Sequence, residues 1–509
     1  MRHITSLFGC DVVVMLALVV LCPAPAIASS TYEFLPRSML SRYLNDPIPA
    51  IVCIRSENDL RTANAAASRF HFDADEWQKL PIALPADCTN VSVEGRDDTV
   101  ARLLSAITPS DQVKRVWASV TVGNCDRTLV ALKAMGGLCE VYLTSDSGKC
   151  EGEVFAPMDR LSRVELCMLV IDRSLVDDLA ACRALKWLTI VTISGKYVPG
   201  LSGLLKKRKF RGLDLMGAAF PNDQFDLIGR QNELEFLALP GAVGVSTWLS
   251  GALSFRDSLQ CLAVHSTALD CALLSRFPSL RMYEQSEGKL TVSAAPDYCL
   301  EALQWVSLQN VEVSKALFDI LSSAPKLEYL GLGSCTGSEG AWQGIASLQN
   351  VQALHIAACP GAVTCLATGT FQLSALRHLS LVGHRPLDDQ TLVVIAAMKE
   401  LVTLLVQANE GVSESAMQDL GKLVALRKLT IMGGAALTDG VLRSWSRQFQ
   451  CLEDICISGN HFTTDGIIAI TGMKSVRRVA VVCGSRVDRG RAAKAFQAAG
   501  IDLRWSWYD

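Results

Sequence analysis

The sequence lacks the short motifs that mark common catalytic and phosphate-binding sites. It contains no G-x-S-x-G, no G-x-x-x-x-G-K-[ST], no H-E-x-x-H and no C-x-x-C. Its seven histidines are scattered, and only His355 and His378 fall on adjacent predicted strands. A zinc site needs three or four ligands, and no further ligand joins these two. We therefore predict no catalytic residue, no cofactor and no metal site, and an enzyme is the least favoured class.

The sequence also lacks an excess of charge of either sign. Lys and Arg total 48 against 51 Asp and Glu, and charged residues make up 19% of the chain. No overall field therefore attracts the protein to nucleic acid or to anionic lipid. Beyond one N-terminal run, no apolar stretch reaches the length that spans a membrane. We expect no nucleic-acid partner.

A repeat is present instead. LEYLGLGSC begins at Leu327, VQALHIAAC begins at Val351, and both fit L-x-x-L-x-L-x-x-C. A spacing of about 24 residues with this pattern resembles the leucine-rich repeat family, in particular the cysteine-containing branch whose ninth position is Cys or Asn. The resemblance implies an α/β solenoid, or horseshoe, with a parallel concave sheet and short convex helices. It also implies binding along the curved surface, without naming the ligand.

The repeat can be followed through most of the chain. Its 17 starts give a mean period of about 24 residues, from (476 − 88)/16. Positions one, four and six of each strand should point inward, and positions three, five and seven should share the opposite face. The weakest repeat starts at Leu280, where RMYEQSEGKL predicts a bulge or irregular loop. The starts are Cys88, Val113, Leu138, Leu161, Leu185, Phe210, Leu234, Leu259, Leu280, Leu303, Leu327, Val351, Leu376, Leu401, Leu426, Leu452 and Val476.

This pattern predicts one long domain with four parts. They are a signal peptide over 1–28, an N-terminal cap over 29–87, a solenoid of about 17 repeats over 88–488 and a C-terminal cap over 489–509. Segments such as LTDGVL at 437, TTDGII at 463, LDDQTL at 387 and VSESAM at 412 predict helices capped by Thr, Asp or Ser. Trp505 and Trp507 are expected to cover the end of the core.

The N-terminus indicates export. Arg2 and His3 precede the apolar run 12–21, and Ala26-Ile27-Ala28 is a small-residue cleavage site. We predict cleavage after Ala28 and a secreted, periplasmic or cell-surface protein. The alternative is an uncleaved N-terminal membrane anchor.

A second hypothesis places the protein in the cytoplasm. A helix is predicted around Leu60 to Phe70, and the surrounding segment is similar to an F-box, with Leu35-Pro36 opening the motif and Leu60, Phe70 and Trp77 as its apolar contacts. That resemblance implies a substrate adaptor of a ubiquitin ligase, in which the repeats bind the substrate.

The cysteines fall into two groups. Of 18 in the chain, Cys10 and Cys22 lie in the signal segment, which leaves 16. Cys335 and Cys359 occupy the ninth position of neighbouring repeats, where packing accounts for them, and we expect reduced thiols. An early cluster would be able to form bridges in an oxidising compartment, with a pairing that the sequence leaves open: Cys125, Cys139, Cys150, Cys167 and Cys182.

The face opposite the core carries unusually large apolar groups in the middle repeats. Small residues at position five, namely Ala238, Ala263, Ser307 and Gly331, should leave these rings standing clear as a groove. Charged residues should form a rim at both ends: Arg115, Glu140 and Arg163 at one, and Lys428, Asp454 and Arg478 at the other. An apolar centre with a charged rim is typical of protein recognition. We predict an exported, non-enzymatic scaffold of open oligomeric state that binds a protein through Trp187, Phe236, Met282, Trp305, Tyr329, His355 and His378.

Overall fold

The structure is a computed structural model of the chain. It describes residues 50–53, 68–73, 82–84, 88–108, 110–121, 125–148, 154–192, 197–215, 224–240, 245–265, 268–292, 300–368, 373–383, 387–407, 411–433, 436–483 and 486–505. Where the sequence predicted one long domain, these residues fall into two compact units, with 41–267 in unit 1 and 268–509 in unit 2. Both units are α/β leucine-rich repeat arrays, as the sequence predicted.

Unit 1 is built on a parallel sheet in which each strand pairs with the strand of the next repeat. The strands of this sheet are β1 (Ala50–Cys53), β2 (Ser68–Asp73), β4 (Asn90–Gly95), β6 (Arg115–Val120), β7 (Glu140–Gly148), β8 (Arg163–Ile171), β9 (Trp187–Thr192), β10 (Gly212–Asp214), β11 (Phe236–Leu239) and β12 (Cys261–His265). Two short strands, β3 (Ile82–Ala83) and β5 (Ile107–Thr108), pair separately. The helices are α1 (Asp97–Ala106), α2 (Asp126–Lys133), α3 (Arg173–Ala181), α4 (Leu201–Lys207), α5 (Phe225–Gly229) and α6 (Val245–Leu249), with a 3₁₀ turn at Ser110–Gln112.

Unit 2 repeats the same arrangement. Its main strands are β14 (Met282–Ser286), β16 (Trp305–Gln309), β17 (Tyr329–Gly333), β18 (Ala353–Ala357), β19 (His378–Val382), β20 (Thr403–Gln407), β21 (Lys428–Met432), β22 (Asp454–Gly459), β23 (Arg478–Cys483) and β24 (Asp502–Arg504). The short strands β13 (Leu269–Asp270) and β15 (Leu290–Thr291) pair with each other. The helices are α7 (Lys315–Ser322), α8 (Glu339–Gln343), α9 (Pro360–Ala367), α10 (Asp389–Ala397), α11 (Glu414–Asp419), α12 (Asp439–Gln448), α13 (Thr464–Ala469) and α14 (Arg489–Ala499). The 3₁₀ turns are Cys271–Arg276, Gly344–Ser347, Leu420–Lys422 and Ile470–Gly472.

The strand register follows the sequence period. Leu330 pairs with Leu354, and Leu354 pairs with Leu379, so the fourth position of each repeat meets the fourth position of the next. Positions one, four and six of the 17 repeats are buried, which confirms that they point inward. Apolar burial of this row is the main stabilising term of each unit. Among the described residues, no helix is long and apolar enough to cross a membrane.

The sequence predicted a bulge or irregular loop near Leu280, and for the strand itself this prediction is wrong. β14 pairs with β16 without a slip, from Met282 opposite Trp305 to the ends of both strands. The pattern looked irregular because Tyr283 and Gln285 occupy the fourth and sixth positions, which are apolar in other repeats. Both are fully buried, and the Tyr283 hydroxyl donates a hydrogen bond of 2.6 Å to Gln285 Oε1. The two polar groups therefore satisfy each other inside the core.

The predicted helix around Leu60 to Phe70 is wrong at its C-terminal end, because Ser68–Asp73 form strand β2. β1, β2 and β4 pair in parallel, so the sheet begins before Cys88, within the segment that the sequence assigned to a cap. Val52 pairs with Phe70, and Phe70 pairs with Val91, so these first repeats are shorter than the later ones. A search on the period of the later repeats misses them. Residues 1–28, Leu35, Pro36, Leu60 and Trp77 lie outside the described residues.

The predicted helix caps are confirmed. The side chains of Asp388, Ser413, Thr438 and Thr463 each accept a hydrogen bond from an amide two or three residues further on. Neighbouring helix starts are also joined, because the Asp439 carboxylate accepts 2.7 Å bonds from the amide and the hydroxyl of Thr463.

At the C-terminal end, Trp505 lies under the Arg489 guanidinium of α14, with 5.5 Å between the guanidinium carbon and the ring centroid. Trp507 is outside the described residues.

The two ninth-position cysteines are buried free thiols, as predicted. The Cys335 thiol donates to the Leu308 carbonyl at 3.3 Å, and the Cys359 thiol donates to the Ala357 carbonyl at the same distance. The Cys335 amide in turn donates to Cys359 Sγ at 3.1 Å. Each thiol therefore satisfies a strand carbonyl, Leu308 in β16 of the preceding repeat and Ala357 at the end of β18.

The early cysteines are also buried or half-buried thiols. Cys139, Cys167 and Cys182 form no disulfide, and the Cys125 side chain hydrogen-bonds with Ser145. Burial raises the pKa of Cys125 and of Cys167 to about 12, so both stay protonated near neutral pH. Cys150 lies outside the described residues.

A buried carboxylate that the sequence did not indicate anchors a loop of unit 1. Asp178 of α3 accepts hydrogen bonds from the amides of Val154, Phe155 and Ala156, at 3.0, 2.7 and 3.1 Å. Its side chain is 5% exposed, so water cannot replace these three bonds.

We predict that Asp178→Ala lowers the free energy of unfolding by about 3 kcal/mol, because three backbone donors lose a charged acceptor. The adjacent Asp177→Ala is the matched control, since its ion pair with Arg173 is solvent-exposed and should contribute less than about 1 kcal/mol. Urea denaturation of both variants measures the difference. Equal midpoints for the two variants would contradict the prediction.

Candidate functional site

The open face, defined here as the side of each sheet that carries strand positions three, five and seven, holds a continuous stack in unit 1. The rings of Trp117 and Tyr142 lie parallel, with centroids 4.8 Å apart. The Arg163 guanidinium carbon is 5.7 Å from the Tyr142 centroid and 5.3 Å from that of Trp187. Phe236 continues the row, with its centroid 6.0 Å from that of Trp187. These five residues are called the unit 1 stack.

The strand register creates this stack. Trp117 is paired with Tyr142, and Arg163 is paired with Trp187, so residues one repeat apart in sequence become neighbours on one face. Stacked rings contribute about 0.5–1.5 kcal/mol beyond area burial, and an exposed cation–π contact about 0.5–1 kcal/mol. All five side chains are nevertheless half-buried, so their outer surfaces stay open to a ligand.

A glycine fixes the position of the central ring. Gly212 lies at position three of β10, between the strands of Trp187 and Phe236. A Cβ built on Gly212 would overlap the Trp187 indole, which shows that the ring lies directly over this glycine. The indole is therefore held down along the face and does not project from it.

Two carboxylates face the same surface beside the stack. Glu165, Thr189 and Asp214 occupy position five of three successive strands. Burial raises the pKa of Glu165 to about 7, with a further rise from Asp214 and a partial offset from Arg163. Among the described residues, the Glu165 carboxylate has no hydrogen-bond or ion-pair partner. This part of the face therefore carries an unsatisfied acceptor group.

The predicted charged rim of unit 1 is only partly available. Arg115 and Glu140 form an ion pair of 3.2 Å, and Glu140 also accepts a 2.7 Å hydrogen bond from the Tyr142 hydroxyl. Arg163 belongs to the stack and not to a rim. At the other predicted rim, in unit 2, Arg478 and Asp454 form a two-bonded ion pair at 2.7 and 2.6 Å.

In unit 2 the predicted rings do not stand clear, so that expectation is wrong. Trp305 and Tyr329 stack with centroids 3.5 Å apart and are 7% and 6% exposed. The Tyr329 ring lies over Gly331, where a Cβ would come within 2.8 Å of the hydroxyl oxygen. The Tyr329 ring therefore packs on Gly331, the small residue at position five, and no groove is left beside the ring. Replacing either ring by alanine would therefore remove core packing as well as surface.

The remaining predicted residues differ in accessibility. Met282 and His355 are half-buried, and His355 Nδ1 lies 2.9 Å from Ser380 Oγ. His378 is buried, and burial, with a smaller effect of Arg377, lowers its pKa to about 4, so its imidazole is neutral at pH 7. Among the described residues, no group of three His, Cys, Asp or Glu side chains has metal-binding geometry.

Of the predicted binding residues, Trp187 and Phe236 come together in unit 1. The sequence reasoning missed Trp117, Tyr142, Glu165 and Asp214. The signal is present in the sequence, because these four side chains occupy position five of the early repeats, where the middle repeats have small residues such as Ala238 and Gly331.

We predict that Gly212→Ala lowers the free energy of unfolding by about 1–3 kcal/mol, because the added methyl displaces the Trp187 indole. Gly203→Ala in α4 is the control, since a Cβ there meets open space and should stabilise the helix by up to about 1 kcal/mol. Thermal or urea unfolding gives the comparison. A Gly212→Ala variant as stable as the wild type would show that the indole is not held over this residue.

Comparison with family models and with curated proteins finds no match. Among solved structures, an internalin (inlF) from Listeria monocytogenes is similar with a TM-score of 0.29 and 13% identity, over 72% of this chain and 80% of that one. An internalin C2 (inlC2) from the same organism gives 0.26 and 18%, over 37% and 74% of the chains. A TLR13–ssRNA13 complex gives 0.38 and 15%, over 84% and 72%. Because these three TM-scores are below 0.5, the ligand of this chain does not follow from these likenesses, and its repeat type rests on its own register and burial.

Proposed function

We propose that the chain is an exported, non-enzymatic leucine-rich repeat protein that binds a protein partner through the open face of unit 1. The observation that carries this proposal is the unit 1 stack, in which four half-buried aromatic rings and one guanidinium share a single surface. Aromatic residues and Arg are enriched at protein interfaces and supply most binding hot spots. The stack is pre-formed, so ordering these side chains adds little to the cost of binding.

The charges beside the stack favour a protein over a nucleic acid. Glu165 and Asp214 face the same surface, and ionised carboxylates repel a phosphate backbone. Arg115 is already paired with Glu140, and Arg163 packs between rings. Among the described residues, these two arginines are thus engaged within the chain, whereas the stacked rings offer apolar surface to side chains of a protein.

Unit 2 is proposed to carry a contact surface of its own. Met282 and His355 are half-buried on its open face and are available for contact. Trp305, Tyr329 and His378 are buried, so their proposed role is to hold the shape of the surface beneath a ligand. Each unit is proposed to bind through its own open face.

Export rests on the N-terminal pattern of a charged start, an apolar run and Ala26-Ile27-Ala28. N-terminal sequencing of the native protein tests it. A first residue of Ser29 supports export, and an intact Met1 would favour the cytoplasmic ubiquitin-ligase adaptor.

We predict that Trp187→Ala weakens binding of the partner by about 2 kcal/mol, roughly thirtyfold in Kd, because it removes the centre of the stack. The partner is first isolated by pull-down with the wild-type protein, and Kd is then measured by calorimetry. Trp248→Ala is the matched control, since Trp248 is a half-buried tryptophan of α6 that packs on Phe225 and Phe255, away from the open face. A Kd unchanged by Trp187→Ala, or raised equally by both variants, would place the binding surface elsewhere.

A further inference from the structure

We propose that the open face of unit 1 contains a pocket that binds a basic side chain, Arg or Lys, of the partner, between the carboxylates of Glu165 and Asp214 and against the Trp187 indole. This inference rests on the proposed function and deepens it, because it names the chemistry of the partner's contact residue.

The strand register builds the pocket. Glu165 of β8, Thr189 of β9 and Asp214 of β10 are paired one to the next at position five. Strands in a sheet lie about 4.8 Å apart, so the backbones of Glu165 and Asp214 are separated by about 10 Å. Thr189, which is short, forms the floor between them. The gap suits a guanidinium or an ammonium group that contacts one carboxylate on each side.

The charges of the Glu165 and Asp214 carboxylates favour binding of a cation between them. Glu165 is half-buried, its carboxyl group has lost much of its hydration, and it has no hydrogen-bond or ion-pair partner among the described residues. After burial, the largest effect on its pKa comes from Asp214, which carries the same sign of charge, and Arg163 offsets it only in part. Enclosed carboxylates are normally paired, because an unpaired one loses its hydration without compensation. A basic side chain of a partner would supply that compensation.

Arg163, the neighbouring cation on the same strand, does not form an ion pair with Glu165. Arg163 lies over the rings of Tyr142 and Trp187, and it forms no ion pair with a described carboxylate. The Trp187 indole supplies one wall of the pocket, and Gly212 beneath it holds the ring flat. The indole already contacts the Arg163 guanidinium, so it offers the partner's side chain an apolar surface for its methylene groups.

The pocket gives binding a definite pH dependence. The charged and titratable groups that face Glu165 are Arg163 and Cys167 on its own strand, Glu140 and Tyr142 on β7, and Asp214 on β10. Burial raises the pKa of Cys167 to about 12 and raises that of Tyr142 still further, so neither changes charge near neutrality. Glu165, whose pKa is raised to about 7, is mostly protonated at pH 6 and mostly ionised at pH 8. A cationic ligand favours the ionised form, so its affinity rises with pH.

The test uses dye-labelled dodecapeptides in which glycine alternates with arginine, lysine, tyrosine or glutamate. Fluorescence anisotropy measures their binding to the full chain at physiological salt, at about pH 6 and about pH 8. We expect the arginine and lysine peptides to bind about tenfold more tightly at the higher pH, which is the change for one carboxyl group with a pKa of about 7 that must ionise. Glu165→Gln should reduce this change to less than about twofold and weaken binding at about pH 8. Asp226→Asn, which neutralises an exposed carboxylate of α5, should leave both values unchanged.

The outcomes separate this inference from the proposed function. Arginine-peptide binding that is independent of pH, or that Glu165→Gln and Asp226→Asn change equally, would overturn the basic-side-chain pocket. If the tyrosine peptide binds most tightly and Trp187→Ala abolishes that binding, the open face is a protein-binding surface and this inference alone fails. If Trp187→Ala affects no peptide and no partner, the proposed function fails as well.

Discussion

The structure of both units depends on the parallel, in-register stacking of strands whose first, fourth and sixth positions are buried. One repeat cannot bury its apolar face alone, and each neighbour completes the core of the next. A slip of one residue would turn every core side chain outward, so the register is strongly fixed. Even Tyr283 and Gln285, which place polar groups in the core row, keep the register and hydrogen-bond to each other.

A fixed register also determines the opposite face. It converts residues one repeat apart into rows of touching side chains, as in the pairing of Trp117 with Tyr142 and of Trp305 with Tyr329. The two units use these rows differently. In unit 1 the rings are shared with Arg163 and stay half-buried, whereas in unit 2 the Tyr329 ring lies over Gly331 and both rings are buried. The same repeat therefore yields an accessible surface in one unit and a packed one in the other.

Buried polar groups distinguish structural positions from candidate binding positions. Asp178 accepts three backbone hydrogen bonds, and the thiols of Cys335 and Cys359 donate to strand carbonyls. These groups are satisfied within the chain and act on stability. Glu165 is half-buried with a partly desolvated carboxyl group, yet no described residue pairs with it. This contrast is the reason for assigning recognition to the acidic row beside Trp187.

The sequence by itself determined the repeat type, the inward positions and the helix caps such as Thr438, because each depends on a pattern that recurs along the chain. It also indicated Trp187 and Phe236 as surface aromatics. Tertiary structure decided the rest. The spacing in sequence from Val52 to Phe70 and from Phe70 to Val91 is shorter than the period of the later repeats. The sequence pattern therefore does not identify β1 and β2 as repeat strands, and only their pairing with each other and with β4 does. Ring accessibility depends on what lies beneath and beside each ring, as Gly212 and Gly331 show. The pKa of Glu165 depends on burial and on Asp214, which lies two strands away in the sheet but far away in the sequence. These are distances in space, which a linear pattern does not contain.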